Sequence, residues 1–289
     1  MKQKSRILVT GASGFLGWSL CGAAAETFDV FGTCFRHTVS SETATMIAID
    51  LTNISELSSL LDRVAPHILI HTAAISQPNY CQQHPAESEL INVTVPARLA
   101  RLCAEKNIKL VFTSSDLVFD GTNPPYTETD EVNPLSLYGE QKARAEETIL
   151  EANSSASVCR MPLMYGSPSP SSGSFMQPLI AKLRAGEVLN LFTDEFRTPV
   201  SATDASHGLL LAAQKHAGIL HLGGPERLSR YDIGMRVAKS LDIDSGSIRP
   251  IRQQDFLMPA PRPHDVSLDS TLANNLGWKP KRMLLPICE

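Results

Sequence analysis

The sequence predicts an α/β fold with a doubly wound parallel sheet and a smaller C-terminal lobe. Short apolar, β-branched segments alternate with longer amphipathic ones through the first half of the chain, a pattern typical of right-handed βαβ units. A glycine-rich turn at residues 11–17 joins the first of these strands to the first helix. Beyond Pro162 the alternation gives way to proline- and serine-rich sequence, which indicates that a second unit begins there.

The predicted elements follow one another as strand and helix from the amino terminus. Asn53 and Glu56 have the spacing of a capping box, so we expect a helix to begin there and to run to about Val64. The predicted strands are residues 6–10, 30–35, 46–49, 68–72, 108–114, 157–161 and 219–222. The predicted helices are residues 15–26, 54–64, 86–106, 136–152 and 203–215. Residues 167–173 are predicted to form a mobile, turn-rich loop, and the sequence from Ser229 onward is mixed.

Composition excludes several classes of partner. The 289-residue chain carries a formal net charge of −4 and no stripe of Lys and Arg, so nucleic acid is not an expected partner. Its six cysteines are scattered, without the spacing of a disulfide framework or a metal site, so we expect reduced thiols in a cytoplasmic protein. The eight histidines likewise indicate no metal site. No segment is apolar over the length needed to span a bilayer, so we expect no membrane contact.

The glycine-rich turn predicts a dinucleotide site on a Rossmann sheet. Gly11 permits a tight turn, Gly14 lets backbone N–H groups approach a pyrophosphate, and Gly17 lets the helix pack against the sheet. The amino terminus of that helix also supplies unpaired N–H donors and a favourable dipole for an anion. The predicted phosphate-binding residues are Gly11, Ser13, Gly14, Phe15, Leu16 and Gly17.

The end of the second predicted strand indicates NADP(H) rather than NAD(H). Residues 33–37 read TCFRH and contain no carboxylate that could bind a ribose 2′-hydroxyl. Arg36 could instead pair with a 2′-phosphate through a charge-assisted fork. The alternative is that Arg36 is a solvated residue at a strand end.

Three residues predict the chemistry of reduction. Tyr138 and Lys142 are four apart at the start of a predicted helix, so both lie on one face. We expect the ammonium group to lower the tyrosine pKa, and the tyrosine to donate a proton to a carbonyl oxygen while hydride reaches its carbon. Ser115, at the carboxyl end of a strand, could hydrogen-bond the same oxygen. The alternatives are a surface tyrosine–lysine pair and a serine that only forms a turn.

These motifs resemble those of the extended short-chain dehydrogenase/reductase superfamily. The likeness rests on TGASGFLG at 10–17, HTAA at 71–74, SSDLVFDG at 114–121 and YGEQK at 138–142. VFDGTNPPY at 118–126 and RPHDVSLD at 262–269 resemble the dTDP-4-dehydrorhamnose reductase branch, which also contains the regulatory β subunit of methionine adenosyltransferase. The likeness extends over nearly the whole chain.

The resemblance implies roles for residues outside the glycine loop. Ser115, Tyr138 and Lys142 occupy the catalytic positions, with Tyr138 and Lys142 also contacting the cofactor. Asp50 and Leu51 would flank the adenine, Ala73 and Ala74 would lie along the cofactor, and Met161 would line the nicotinamide. The expected substrate contacts are Asn79, Asp116, Arg197 and Arg262. For Arg197 and Arg262 the alternative is simple pairing with nearby acids such as Asp194 or Asp265.

Departures from related families narrow the expected function. Nucleotide-sugar dehydratases carry a glutamate where this chain has Leu117, and UDP-sugar 4-epimerases generally have an acidic residue near Cys34. We therefore expect NADPH-dependent reduction of a keto group, on a nucleotide-activated 4-keto-6-deoxysugar. An NADP(H)-binding regulatory subunit without turnover and a nucleotide-sugar epimerase stay open, as does a homodimer. The dTDP-4-dehydrorhamnose reductases often have a threonine at the position of Ser115 and acidic residues around positions 79–82. This chain differs at both places, so the identity of the sugar stays open.

The change in sequence character also predicts the domain limits. Residues 1–165 would form the dinucleotide-binding domain, with residues 202–225 returning to it. Residues 166–201 and 226–289 would form the substrate-binding lobe.

Overall fold

The structure of the protein, a computed structural model, describes residues 4–283. The predicted domain limits at residues 1 and 289 and the thiol of Cys288 lie outside these residues. The five cysteines within them are buried and free of disulfides. In the same range, no helix combines the length and the apolar character that a membrane span needs.

A seven-stranded sheet forms the centre of the molecule. Its order is β11-β6-β5-β4-β1-β2-β3, and every neighbouring pair is parallel. The strands are β1 (Ser5–Thr10), β2 (Phe28–Cys34), β3 (Thr45–Ala48), β4 (Ile68–His71), β5 (Lys109–Ser115), β6 (Ser157–Met161) and, after four two- to four-residue strands, β11 (Gly218–His221). The order reverses between β1 and β4, and such a reversal opens a crevice at the carboxyl ends of the strands. The predicted doubly wound α/β sheet is confirmed.

Helices cover both faces of the sheet because strand side chains alternate between the faces. On one face Leu8, Leu69 and Phe112 pack under α2 (Ile54–Val64), α5 (Val95–Glu105) and α6 (Leu137–Ala152). On the other, Val9 and Ile70 pack under α1 (Phe15–Ala24) and α8 (Ala202–Lys215). The chain thus returns to the sheet after β10 (Val200–Ser201), because α8 packs on this face and β11 pairs with β6 as an edge strand.

A second, smaller core lies outside the sheet. It contains Leu179, Leu189, Ile233, Val237 and Ile248, all buried. The helices here are α7 (Met176–Arg184) and α9 (Arg230–Ser240), whereas Ala273 of α10 (Thr271–Asn275) packs in the core of the central sheet. The short strands are β7 (Met164–Tyr165), β8 (Leu189–Phe192), β9 (Phe196–Arg197), β10 (Val200–Ser201), β12 (Leu228–Ser229) and β13 (Ile248–Ile251).

The predicted helix over 86–106 is wrong in its details. The chain forms α3 (Pro78–Gln83) and α4 (Pro85–Glu89), then a π-helical turn over Leu90–Thr94, and then α5. The wider π turn accompanies inward placement of the Asn92 amide, which exchanges two hydrogen bonds of 3.0 Å with the backbone of Ile75 and also donates to Gln141. This buried amide fixes the segment after β4 against α6.

Candidate active site

The glycine-rich loop follows β1 with the geometry that its sequence predicts. Gly11 has φ +72°, and a Cβ there would lie 2.8 Å from the backbone of Ala73. A Cβ on Gly17 would lie 2.3 Å from the Gly11 carbonyl oxygen. Gly14 is the N-cap of α1 and contributes no side-chain cap, so the first turn keeps backbone N–H donors for a ligand.

The predicted catalytic residues meet in one cleft of about 820 Å³. Ser115 ends β5, and Tyr138 and Lys142 lie on α6, whose N-cap Ser136 accepts a hydrogen bond from the Gly139 amide. A Cβ on Gly139 would lie 2.2 Å from the Leu117 carbonyl oxygen, so glycine is what lets α6 approach the end of β5. The same cleft is lined by Gly11, Gly14, Phe15, Leu16, Gly17, Ala74, Met161, Asp116, Arg197 and Arg262.

Hydrogen bonds orient the serine and the lysine. The Ser115 hydroxyl donates to Asp116 Oδ1 at 3.2 Å and accepts from the Leu117 amide at 3.1 Å. The Lys142 ammonium donates to the Thr113 carbonyl at 2.9 Å and lies 5.9 Å from the centre of the Tyr138 ring. Burial lowers the pKa of Lys142 to about 8.

The expectation that the lysine lowers the tyrosine pKa is wrong for this structure. Burial of Tyr138, followed by the negative charge of Asp116, raises its pKa. The ammonium group of Lys142 is directed to the Thr113 carbonyl instead of the phenol oxygen. Tyr138 therefore holds its proton throughout the neutral range, as a proton donor must.

The other wall of the cleft carries three arginines. Buried Arg197 places Nε 3.5 Å from Asp116 Oδ2 and Nη2 3.4 Å from Glu195 Oε1. Burial lowers the pKa of Arg230 and of Arg262, and the Arg197 charge acts in the same direction on both. Three guanidinium groups thus face two carboxylates, which leaves this wall cationic.

Asp116 is an incompletely paired acid in this wall. Its Oδ2 atom has no hydrogen bond within residues 4–283 and only the longer ion-pair contact to Arg197. Burial raises the pKa of Asp116 to about 6, opposed by the positive charge of Arg197. A ligand donor in the cleft could satisfy this oxygen.

Arg197 pairs with nearby acids, as the alternative to substrate binding expected, but these are Asp116 and Glu195. Arg262 Nη2 contacts Asn79 Oδ1 at 3.5 Å, whereas Asp265 pairs with Arg227. Asn79 Oδ1 also accepts from the Ala260 amide at 3.3 Å, and Asn79 is absent from the lining of the cleft. Asn79 therefore ties the C-terminal segment to α3, while its substrate role stays a prediction.

Several predicted cofactor residues lie outside the cleft lining. Ser13 offers its carbonyl oxygen to the hydroxyls of Ser169 and Ser171, at 2.8 and 2.7 Å. Asp50 accepts from the backbone and hydroxyl of Thr52 at 2.9 and 2.8 Å. Arg36, Leu51 and Ala73 are likewise absent from the lining, although Ala73 directly contacts the glycine loop.

Sequence reasoning missed Arg230 and Glu195. Arg230 begins α9, whose capping box of Ser229 and Asp232 is visible in the sequence and could have located this helix. Glu195 precedes a two-residue strand that has no recognisable pattern. Among residues 4–283, no group of His, Cys, Asp and Glu is arranged to hold a metal ion.

Comparison with known proteins places this geometry in a family. The chain matches the RmlD substrate binding domain over residues 5–283. It belongs to that family. The family match confirms the expected likeness to the dTDP-4-dehydrorhamnose reductase branch of the extended short-chain dehydrogenase/reductase superfamily.

The proteins to which this chain is similar include a methionine adenosyltransferase subunit and dTDP-4-dehydrorhamnose reductases. Methionine adenosyltransferase 2 subunit beta of Xenopus laevis is 30% identical over 280 residues, which is 94% of this chain and 82% of that protein. The structure of a dTDP-4-dehydrorhamnose reductase from Clostridium acetobutylicum superimposes with a TM-score of 0.80 at 26% identity, covering 92% of this chain and 91% of that one. The dTDP-4-dehydrorhamnose reductase of Bacillus anthracis, solved in complex with NADP, has a TM-score of 0.83 at 21% identity, covering 96% and 94%.

Proposed function

We propose that the chain is an NADPH-dependent reductase of a keto group on a nucleotide-activated 4-keto-6-deoxysugar. The observation that carries the proposal is the shared cleft: Ser115, Tyr138 and Lys142 line it together with the glycine loop and three arginines, of which Arg197 is buried. The likeness to the Clostridium acetobutylicum reductase supports the same reaction class. We further propose residues 1–165 and 202–225 as the cofactor-binding unit and residues 166–201 and 226–289 as the substrate lobe.

The residues of the glycine loop fit a dinucleotide. Gly11 lies close to Ala73 and Gly17 lies close to Gly11, with no room for a Cβ at either glycine. A ligand at the start of α1 would therefore meet backbone atoms at these positions. The uncapped first turn of α1 offers N–H donors to a pyrophosphate. Arg36, two residues after β2 in a segment without a carboxylate, would take the 2′-phosphate that distinguishes NADPH. Bound NADPH would supply the hydride.

The protein side of the reaction needs a proton donor beside the carbonyl oxygen. Tyr138, protonated because burial and the nearby Asp116 raise its pKa, would donate that proton. Ser115 would hydrogen-bond the same oxygen from the end of β5 and hold the charge that develops on it. Lys142, where its ammonium is charged, would stabilise the phenolate left behind and offset the repulsion from Asp116.

The cationic wall of the cleft suits a diphosphate. The planar guanidinium binds phosphate oxygens in pairs, and Arg197 is already oriented by Asp116 and Glu195. Arg230 and Arg262 also line the cleft, and a dianionic ligand would offset the mutual repulsion of the three positive charges. The substrate would thus combine a diphosphate at this wall with a carbonyl next to Tyr138.

The proposed activity is tested by consumption of NADPH with dTDP-, UDP- and GDP-linked 4-keto sugars. We expect saturable turnover with one nucleotide class, and thermal protection by the corresponding nucleoside diphosphate in the presence of NADP. Interconversion of sugar epimers without net NADPH consumption would instead indicate an epimerase.

A second candidate is a regulatory subunit that binds NADP(H) without turnover. The 30% identity with the β subunit of methionine adenosyltransferase 2 favours it, since 94% of this chain is aligned. Saturable NADPH binding, with no nucleotide protection and no turnover across the panel, would support this candidate against the reductase.

A further inference from the structure

Arg36 is held by a carboxylate from a distant part of the chain. Its Nη2 atom lies 3.1 Å from Oε1 of Glu87, which is on α4, 51 residues later. The other oxygen of Glu87 accepts a 2.6 Å hydrogen bond from the Tyr80 hydroxyl. The Tyr80 ring in turn stacks on His84, with ring centres 4.0 Å apart. Glu87 is therefore fixed on one side by a neutral donor and on the other by the arginine.

The two contacts of Glu87 differ in how readily they can be broken. The Arg36 side chain is 71% exposed and that of Glu87 is 38% exposed, so the ion pair is solvated and weak. The Tyr80 hydrogen bond is the leading cause that lowers the pKa of Glu87, and it would remain if Arg36 moved away. Glu87 thus stays an ionised, anchored acceptor, whereas Arg36 can turn to another anion.

We propose that Glu87 sets the cofactor preference by competing with the 2′-phosphate of NADPH for Arg36. This rests on the proposed function, in which Arg36 binds that phosphate. NADH has no 2′-phosphate and binds without separating the pair, whereas NADPH must draw the guanidinium from Glu87. The carboxylate therefore weakens NADPH binding selectively and keeps the preference for NADPH smaller than Arg36 alone would give.

The variant Glu87→Gln tests this competition because it removes the charge and keeps an acceptor for Tyr80. Kd values for NADPH and NADH are measured by calorimetric titration at low ionic strength, where a solvated pair is strongest. We expect the NADPH Kd to fall by about two- to fivefold and the NADH Kd to stay unchanged. Glu87→Ala should change the NADPH Kd in the same direction.

Glu89→Gln is the matched control. Glu89 lies two residues along the same helix and forms an exposed pair with Arg144, away from Arg36. It should change neither Kd. An unchanged or weaker NADPH affinity in Glu87→Gln, or an equal effect of Glu89→Gln, would overturn the role of Glu87.

Arg36→Ala distinguishes a failure of the role of Glu87 from a failure of the proposed cofactor site. If Arg36→Ala leaves the ratio of the two Kd values unchanged, Arg36 does not bind the 2′-phosphate, and both the cofactor assignment and the competition fail. If Arg36→Ala abolishes the preference but Glu87→Gln leaves it unaltered, the cofactor assignment stands and only the competition is overturned. Adding Glu87→Gln to Arg36→Ala should have no further effect on either cofactor.

Discussion

Lys142→Met removes the buried ammonium of the candidate site, and its effect on stability should depend strongly on pH. Lys142 is 2% exposed, and burial lowers its pKa from 10.5 to about 8. Each pKa unit corresponds to about 1.4 kcal/mol, so the shift corresponds to about 3 kcal/mol. This is a large part of the stability of an ordinary domain, so the effect is measurable.

The sign follows from proton binding. Between pH 8 and pH 10.5 the unfolded chain retains the proton of Lys142 while the folded chain has lost it. The free energy of unfolding therefore rises with pH across this window, and the gain is lost again as the pH falls from about 10.5 to about 8. Lys142→Met has no such group. Between about pH 7 and about pH 10.5, the free energy of unfolding of the wild-type protein should therefore rise by about 3 kcal/mol relative to that of the variant.

Urea unfolding of both proteins at the two pH values measures this difference, because the titration of all other groups cancels in the comparison. A difference between wild type and Lys142→Met that does not change with pH would refute the burial of the ammonium. Since the charged lysine is the form that the proposed reaction uses, turnover should also decline as the pH rises above about 8.

Three further predictions concern the proton donor, the glycine loop and the cationic wall. Tyr138→Phe should bind NADPH nearly as wild type does but lower kcat by about a hundredfold or more, and full activity would show that another group supplies the proton. Gly17→Ala, whose Cβ would lie 2.3 Å from a backbone oxygen, should lower the free energy of unfolding by about 1–3 kcal/mol or more. In the same helix Gly22→Ala meets nothing within 4 Å and should be neutral or stabilising by up to about 1 kcal/mol, so equal effects of the two in thermal unfolding would contradict the close packing at Gly17. Arg197→Ala should weaken thermal protection by a nucleoside diphosphate and raise KM, and unaltered protection would exclude Arg197 from the diphosphate site.

The parallel sheet could be predicted because its signals are local. The β-branched runs of β1, β4 and β5, and the turn around Gly11, fix strand, turn and helix from neighbouring residues alone. The π turn before α5 could not, because it accompanies the contact of Asn92 with Ile75, 17 residues earlier, and with Gln141, 49 residues later. α9 was missed although its capping box is local, because the mixed sequence around Ser229 hides its apolar face.

In the candidate site too, local features could be predicted from the sequence, whereas features that depend on distant residues could not. The spacing of Tyr138 and Lys142 on one helix predicted that they share a cleft, and they do. The pKa of Tyr138 could not be read from that spacing, since it depends on burial and on Asp116 from another element. The pairing of Arg36 with Glu87 is equally invisible in sequence, because only the folded chain brings α4 to the end of β2.

In the proposed reaction, hydride passes from NADPH to a sugar carbonyl in this cleft. The most direct test supplies NADPH deuterated at the transferable position of the nicotinamide and analyses the sugar product by mass spectrometry. We predict that the wild-type protein places one deuterium on the former keto carbon. Tyr138→Phe should incorporate deuterium about a hundredfold more slowly or worse, because that is the loss expected when a general acid is removed. Bound NADPH that never transfers deuterium to any sugar of the panel would contradict the reductase.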